Sequence, residues 1–205
     1  MNGSASLHWS QCEFVVVDVE GNGQSPQEII ELAIVPIRQA HISDTWREWQ
    51  IRPTKPVTIH ASRVHGIFDS DLAGKPKFDD IAHEIANDLG YHAVVGHNVA
   101  IDAQLLKERL PMWKPLVAID TLKLAKWVIP GKSSYALDAL ANEFGINELS
   151  RKSHRAGSDA LATAQLFLLL TNMLDQRGQL HLSALAEISA AATDPFFQTS
   201  QRNLF

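Results

Sequence analysis

The segment EFVVVDVEGNG, residues 13–23, constrains the fold of this 205-residue chain more than any other stretch. Four apolar residues, three of them valine, run without interruption into two acids and a glycine-rich turn. A short apolar run bounded by a turn is typical of a strand that is buried on both faces. The sheet that contains this strand therefore needs packing partners on both sides.

The two acids that end this strand, Asp18 and Glu20, are two residues apart. Because the strand period is two, both side chains point to the same face and can share one ion. A carboxylate at the end of a buried strand is costly when it is unpaired, whereas a divalent cation compensates it. The motif favours a metal site. The alternative is a turn-capping aspartate beside a solvated glutamate.

The rest of the chain predicts an α/β domain with a mixed sheet. Residues 29–37 and 45–53 read as strands that form an antiparallel meander with the first one, and residues 56–78 read as an irregular loop with small helical turns. Strands and helices then alternate. We expect short strands at AVVGHN and near LVAID, and helices at 79–89, 100–110, TLKLAKWVI, SYALDALANEFG and SDALATAQLFLLLTNML.

The composition limits the classes of protein to which this chain can belong. The hydrophobic content of 45% and the charged content of 20% are those of an ordinary soluble domain, which we place at residues 13–192, after an N-terminal extension at 1–12 and before a C-terminal tail at 193–205. A single cysteine, Cys12, excludes an internal disulfide, and neither a leader pattern nor a long apolar stretch is present, so we expect a cytoplasmic protein with no membrane contact. The net charge of −5 argues against a broad basic surface that coats nucleic acid, so we expect any contact with nucleic acid to be local.

Two later motifs contain further acids. In GHNVAID, Asn98 follows a short strand and Asp102 falls in the first turn of the next helix, where aspartate is also a common helix-start residue. In HRAGSDALATAQLF, His154 precedes a helix and Asp159 lies near its start, with Gly157 allowing a turn between them. Each motif is weak evidence when it is taken alone.

Together, the three motifs resemble the DEDDh family of 3'-5' exonucleases, which includes proofreading subunits of bacterial replicative polymerases and exonuclease X. The family's DxE is DVE here, its NxxxD is Asn98 to Asp102, and its HxxxxD is His154 to Asp159. PVTIHASRVHGI and the stretch from IDTLKLAKW to NEFGI also resemble family segments. The resemblance covers residues 13–174 and implies a ribonuclease H-like mixed five-stranded sheet with helices on both faces.

This resemblance implies a two-metal hydrolysis of phosphodiesters with Mg²⁺ or Mn²⁺, two ions per site. Asp18 would bridge the ions, Glu20 and Asp159 would complete the site that activates water, and Asp102 would support the second ion. His154 would act as the catalytic base, because histidine exchanges protons near neutral pH.

Several residues are weaker candidates for substrate contacts. By the resemblance, His65 borders the pocket for the terminal nucleotide and Asn98 lies beside the second ion, although either could serve only the local fold. The basic run RKSHR, residues 151–155, could meet phosphates or could simply be solvated. Trp46 and Trp49 could stack on bases, but tryptophans in strands usually pack.

The substrate is the most open part of the interpretation. We expect DNA, with single-stranded or frayed 3' ends trimmed to nucleoside 5'-monophosphates, and RNA is the first alternative. A non-catalytic binding module with the same fold is a second alternative, which has no need of four acids and a histidine together. The chain departs from the family pattern after the first acids, at Val19, Gly21 and Asn22, and before the third acid, at Ile101. These changes concern substrate preference more than chemistry.

The C-terminal QRNLF resembles the short peptides with which bacterial replication and repair proteins bind the sliding clamp. Gln201 would supply the amide, and Leu204 and Phe205 would supply two apolar anchors. Arg202 stands where an apolar residue is commoner, and the tail could instead pack on its own domain. A sliding clamp is therefore a possible partner besides nucleic acid.

Overall fold

A computed structural model describes residues 7–146, 154–176 and 178–189. Within these residues a mixed sheet is covered by helices on both faces, as the sequence predicted. Its strands are β1 (Phe14–Gly21), β2 (Ile29–Arg38), β3 (His41–Ile42), β4 (Arg47–Gln50), β5 (Ala93–Gly96) and β6 (Ala118–Asp120).

The order of the strands across the sheet is β3-β2-β1-β5-β6, with β4 also paired to β2. β1 is antiparallel to β2, while the β1–β5 and β5–β6 pairs are parallel. The predicted antiparallel meander is confirmed, but the expected count of five strands is one too low in the described part of the chain. The additional strand is β3, which lies between the two predicted strands at 29–37 and 45–53. β2 is ten residues long, so β3 pairs with its end at Ile37 and β4 pairs with its beginning at Glu31–Ile34, both along one edge.

The helices agree with the predicted segments to within a few residues, except at the C-terminal side. The helices are α1 (Ile59–His65), α2 (Asp69–Leu72), α3 (Phe78–Leu89), α4 (Ala100–Arg109), α5 (Thr121–Val128), α6 (Leu137–Glu143), α7 (Ala156–Leu174) and α8 (Leu182–Ser189). The irregular region at 56–78 contains the two short helices α1 and α2, and α8 has no counterpart in the prediction.

The alternating faces of β1 belong to two different cores. Phe14 and Val16 pack with α5, α6, α7 and α8, and the ring of Phe14 meets Phe167 of α7 at 4.9 Å between centroids. Val15 and Val17 pack on the opposite side with residues of α3 and α4. All four side chains are buried, which confirms that the opening apolar run is covered on both faces.

The residues around position 9 also contact this body. The Trp9 side chain is buried against Phe167 and donates its ring N–H to Asp175 at 2.9 Å, while the backbone N–H of Trp9 donates to Leu180 at 2.9 Å. The domain boundaries at 13 and 192 stay predictions. Among the helices of the described residues, none combines the length and apolar character needed to cross a bilayer.

Candidate active site

The first two candidate acids lie where β1 leaves the core. Residues 14–17 are buried, and the side chains of Asp18 and Glu20 are partly exposed on one face of the strand. The pairing of β1 with β2 shifts register between Glu20 and Gly21, so the regular ladder ends at the second acid. The strand therefore presents two carboxylates at an edge that other elements can approach.

Helix α4 brings the third acid to this edge. Asp102 lies in the first turn of α4, and its Oδ1 accepts the backbone N–H of Val19 at 3.0 Å. This bond places Asp102 beside the peptide bond between Asp18 and Val19. Asn98 precedes α4 in the left-handed region, with φ of 67°, which asparagine tolerates better than most residues. Its N–H donates to Asp120 at 3.0 Å, and its side chain is exposed.

The start of helix α7 brings the last two candidates. The backbone N–H of His154 donates to Oδ2 of Asp159 at 2.9 Å, and His154 has a φ of 60°. The turn therefore lies at His154 itself and not at Gly157, which belongs to the first turn of α7. Ligand atoms of Glu20, His154 and Asp159 all lie within 4.8 Å of one another. Asp159 is buried, whereas the His154 side chain is exposed.

The charges of these carboxylates oppose one another. Burial raises the pKa of Asp18 well above its usual range, and the charges of Asp102, Asp159 and Glu20 raise it further. Burial and the charges of Asp159 and Glu31 raise the pKa of Glu20 to about 7. Burial also raises the pKa of Asp102 to about 7, although the N–H of Val19 opposes that change. Burial and mutual repulsion therefore oppose the ionised forms of Asp18, Glu20 and Asp102 in the metal-free site.

A bound divalent cation fits this arrangement. The cluster offers carboxylate oxygens from three separated motifs, and oxygen ligands suit Mg²⁺ or Mn²⁺. A cation placed among them would supply the positive charge that relieves their repulsion. The raised pKa values of Asp18, Glu20 and Asp102, and the close approach of Glu20 to Asp159, make this cluster a candidate for the metal site, which stays a prediction.

Comparison with known proteins decides the family. Residues 12–167 match the model of the RNase T exonuclease family. The chain belongs to this exonuclease family. It is similar to a PolC-type DNA polymerase III of Thermotoga petrophila, with 31% identity over 97% of this chain, and spans 15% of that polymerase. It is also similar to the epsilon subunit of DNA polymerase III of Buchnera aphidicola subsp. Schizaphis graminum, with 30% identity over 77% of this chain and 74% of that one.

A solved structure gives the same result. Exonuclease X in complex with 5' overhanging duplex DNA superposes with a TM-score of 0.68 and 27% identity, over 85% of this chain and 98% of that one. The predicted resemblance to the DEDDh exonucleases, the ribonuclease H-like fold and the enzyme class are thereby confirmed. The exonuclease family therefore replaces the alternative of a non-catalytic binding module with the same fold.

The weaker candidates of this exonuclease have different surroundings. His65 is buried near the site, and its Nδ1 accepts the N–H of Ile67 at 3.0 Å. Its Nε2 is also buried. Burial lowers the pKa of His65, which favours the neutral ring. Trp49 is buried and Trp46 packs against the core around α7, so both agree with packing and not with base stacking.

Two of the sequence departures have different surroundings. Asn22 is fully buried, where its Oδ1 accepts the N–H groups of Gln24 and Glu28 at 3.1 and 3.0 Å. It therefore shapes the loop after β1 and offers no surface to a substrate. Ile101 is 57% exposed beside Asp102 and remains available for substrate contact.

Sequence reasoning missed one buried acid beside the exonuclease site. Glu31 of β2 is fully buried and forms an ion pair with Arg155, the residue that follows His154. Arg155 is thus engaged within the protein, which corrects the suggestion that it is free for phosphates as part of RKSHR. The signal was present in IIELAIV, where one acid interrupts an apolar strand. Residues 151–153 and the clamp candidates Gln201, Leu204 and Phe205 lie outside the described residues.

Proposed function

We propose that this exonuclease removes nucleotides from the 3' end of DNA and releases nucleoside 5'-monophosphates, using two Mg²⁺ or Mn²⁺ ions. The observation that carries the proposal is the convergence of Asp18, Glu20, Asp102 and Asp159 at one edge of the sheet. These acids come from three motifs that are far apart in the chain, and the charges of its neighbours raise the pKa of Asp18. Such a cluster is suited to hold cations and, through them, phosphate.

The chain supplies ligands in distinct positions. Asp18 is surrounded electrostatically by Asp102, Asp159 and Glu20, which suits a bridging ligand. Glu20 and Asp159 lie together on the side of His154, and Asp102 lies on the side of α4. When bound, the ions would lower the pKa of water and offset the charge that develops on the leaving oxygen.

The position of His154 suits proton transfer. Its side chain is exposed, so its ring can reach a water molecule at the site. Its backbone is held by Asp159, which keeps the ring at the rim of the carboxylate cluster. A ring nitrogen of His154 would take the proton from the attacking water and release it to solvent.

DNA is the proposed substrate because of the relatives that this chain resembles. Two of them are named as DNA polymerase III components, and the exonuclease X structure contains DNA. The net charge of −5 agrees with local binding at the end of a strand and not with extended binding along a duplex. His65 and Asn98 are proposed to contact the terminal nucleotide.

The test is digestion of a 5'-labelled DNA strand and of an RNA strand of the same sequence, with Mg²⁺ or Mn²⁺. We expect a ladder that shortens from the 3' end of the DNA, with nucleoside 5'-monophosphates as products. A chelator should stop the reaction. Asp159→Ala should be inactive, while Glu108→Ala, on the exposed face of α4, should keep normal activity.

Each part of the proposal can fail separately. Faster digestion of RNA would replace the substrate, whereas internal cuts in DNA would overturn the exonuclease polarity. Activity restored by zinc alone would contradict oxygen ligation. A normal rate for Asp159→Ala would contradict the assignment of the site.

A further inference from the structure

Glu31 and Arg155 form a two-point ion pair between the sheet and the start of α7. Arg155 Nε donates to Oε2 of Glu31 at 2.9 Å, and Nη2 donates to Oε1 at 2.6 Å. Glu31 is fully buried, and its Oε2 also accepts the backbone N–H of Ala156 at 3.0 Å. Two parallel bonds fix the orientation of a guanidinium far better than one contact does.

A second sheet glutamate completes the end of the helix. Glu48 of β4 accepts the backbone N–H of Gly157 at 3.0 Å. A Cβ at Gly157 would lie 2.9 Å from Oε1 of Glu48, so the glycine permits this close approach. Arg155, at the N-cap of α7, makes no side-chain cap bond. The first N–H groups of α7 are therefore satisfied by two strands of the sheet, where a local cap would usually serve.

This arrangement bears directly on His154, which immediately precedes Arg155. The His154 side chain is exposed, so packing does little to hold it, and its backbone adopts an uncommon φ of 60°. The contacts that fix this backbone are the bond from its N–H to Asp159 on one side and the Arg155–Glu31 pair on the other. Both join His154 to elements that also position the carboxylate cluster.

We propose that Glu31 and Arg155 are positioning residues for His154: their ion pair holds the histidine backbone so that its ring stays at the carboxylate cluster. This inference rests on the proposed function, because it assigns a task to the catalytic base. Glu31 and Arg155 do not touch the reacting atoms. Their proposed effect on His154 passes through the backbone between Arg155 and His154.

The test measures hydrolysis of the p-nitrophenyl ester of thymidine 5'-monophosphate, which offers a phosphodiester without a nucleic-acid strand. We expect Arg155→Met to lower kcat about 10- to 100-fold, since displacement of a positioned group by about 1 Å has effects of this size. KM and the half-saturating Mg²⁺ concentration should change less than about threefold. Arg155→Lys should recover part of the lost kcat, because it restores the positive charge without the two parallel hydrogen bonds of the guanidinium.

A double mutant identifies the route of the effect. If the pair acts by positioning His154, Arg155→Met should change kcat less than about twofold in a His154→Ala background. The matched control is Arg38→Met, which removes an exposed arginine that pairs with Glu13 at 3.8 Å and should leave kcat unchanged. An equal loss from Arg155→Met with and without His154, or no loss at all, would overturn the inference.

Folding and function are controlled separately. Arg155→Met leaves the buried Glu31 without its partner, which can destabilise the chain strongly. If thermal unfolding shows that this variant does not fold, Glu31→Gln/Arg155→Met removes both charges and is compared in the same two backgrounds. Absence of any metal-dependent hydrolysis by the wild type would instead contradict the proposed function itself.

Discussion

At the residue scale, the carboxylate cluster that is suited to bind metal lowers the stability of the metal-free protein. A carboxyl whose pKa is raised in the folded state contributes stability that is present below its unfolded pKa and is lost as pH rises through the folded pKa. Burial and neighbouring charges raise the pKa of Asp18 in this way. Glu20 and Asp102, whose pKa values are raised to about 7, act in the same direction, so the metal-free protein should lose stability as the pH rises from about 4 through about 7.

Asp18→Asn should raise the free energy of unfolding of the metal-free protein by about 1–2 kcal/mol at pH 8, because it removes one charge from the cluster. The same substitution should abolish hydrolysis. Urea unfolding in the presence of a chelator, at pH 8 and at pH 4, measures the difference. A gain of the same size at both pH values would show that charge repulsion is not its cause.

His154→Ala should lower turnover by about two to four orders of magnitude, the usual contribution of a general base. The four acids remain, so the dependence of the rate on Mg²⁺ concentration should keep its midpoint. Steady-state kinetics on a single-stranded DNA of fixed sequence measures both quantities. A rate within about threefold of the wild type would remove His154 from the base role.

Metal affinity should depend on pH, because Glu20 and Asp102 each have a pKa raised to about 7. Below this pH an ion must displace protons from both groups before it binds. We expect the half-saturating Mg²⁺ concentration to rise about tenfold or more from pH 8 to pH 6. Calorimetric titrations with Mg²⁺ at the two pH values test this expectation. Equal affinities would show that Mg²⁺ does not displace protons from Glu20 and Asp102.

At the element scale, the anchoring of α7 by the sheet predicts a loss of stability when an anchor is removed. Glu48→Ala leaves the N–H of Gly157 without its acceptor and should lower the free energy of unfolding by about 0.5–2 kcal/mol, as the loss of a helix cap does. Glu108→Ala, on the exposed face of α4, is the control and should change it by less than about 0.5 kcal/mol. Equal values for the two variants would show that Glu48 does not cap the helix.

The elements differ in how well sequence predicts them. β1 and α7 are recognisable because their apolar patterns are long, and Asp18, Glu20 and Asp159 follow from the ends of these elements. α8 has only eight residues, and β3 has two and depends on pairing with the distant edge of β2. Such elements form because a tertiary surface is available to them, which a local pattern does not reveal.

At the scale of the whole molecule, the order of the strands brings together what is distant in sequence. β1 is central, between β2 and β5, so the acids at its end can meet the starts of both α4 and α7. The family pattern predicts this meeting, but it does not predict the contacts that support it. The bonds of Glu31 to Arg155 and of Val19 to Asp102 join residues 124 and 83 positions apart. Only the folded chain places them together.

The most direct test of the account is the binding of Mn²⁺ to the wild type and to Asp18→Asn, measured by electron paramagnetic resonance with thymidine 5'-monophosphate present as a product mimic. The account predicts about two ions per wild-type chain, as expected for a two-metal site, and the loss of at least one of them in Asp18→Asn. Glu108→Ala should bind as the wild type does. Failure of the wild type to bind Mn²⁺, or unchanged stoichiometry and affinity in Asp18→Asn, would contradict the assignment of the carboxylate cluster as the metal site.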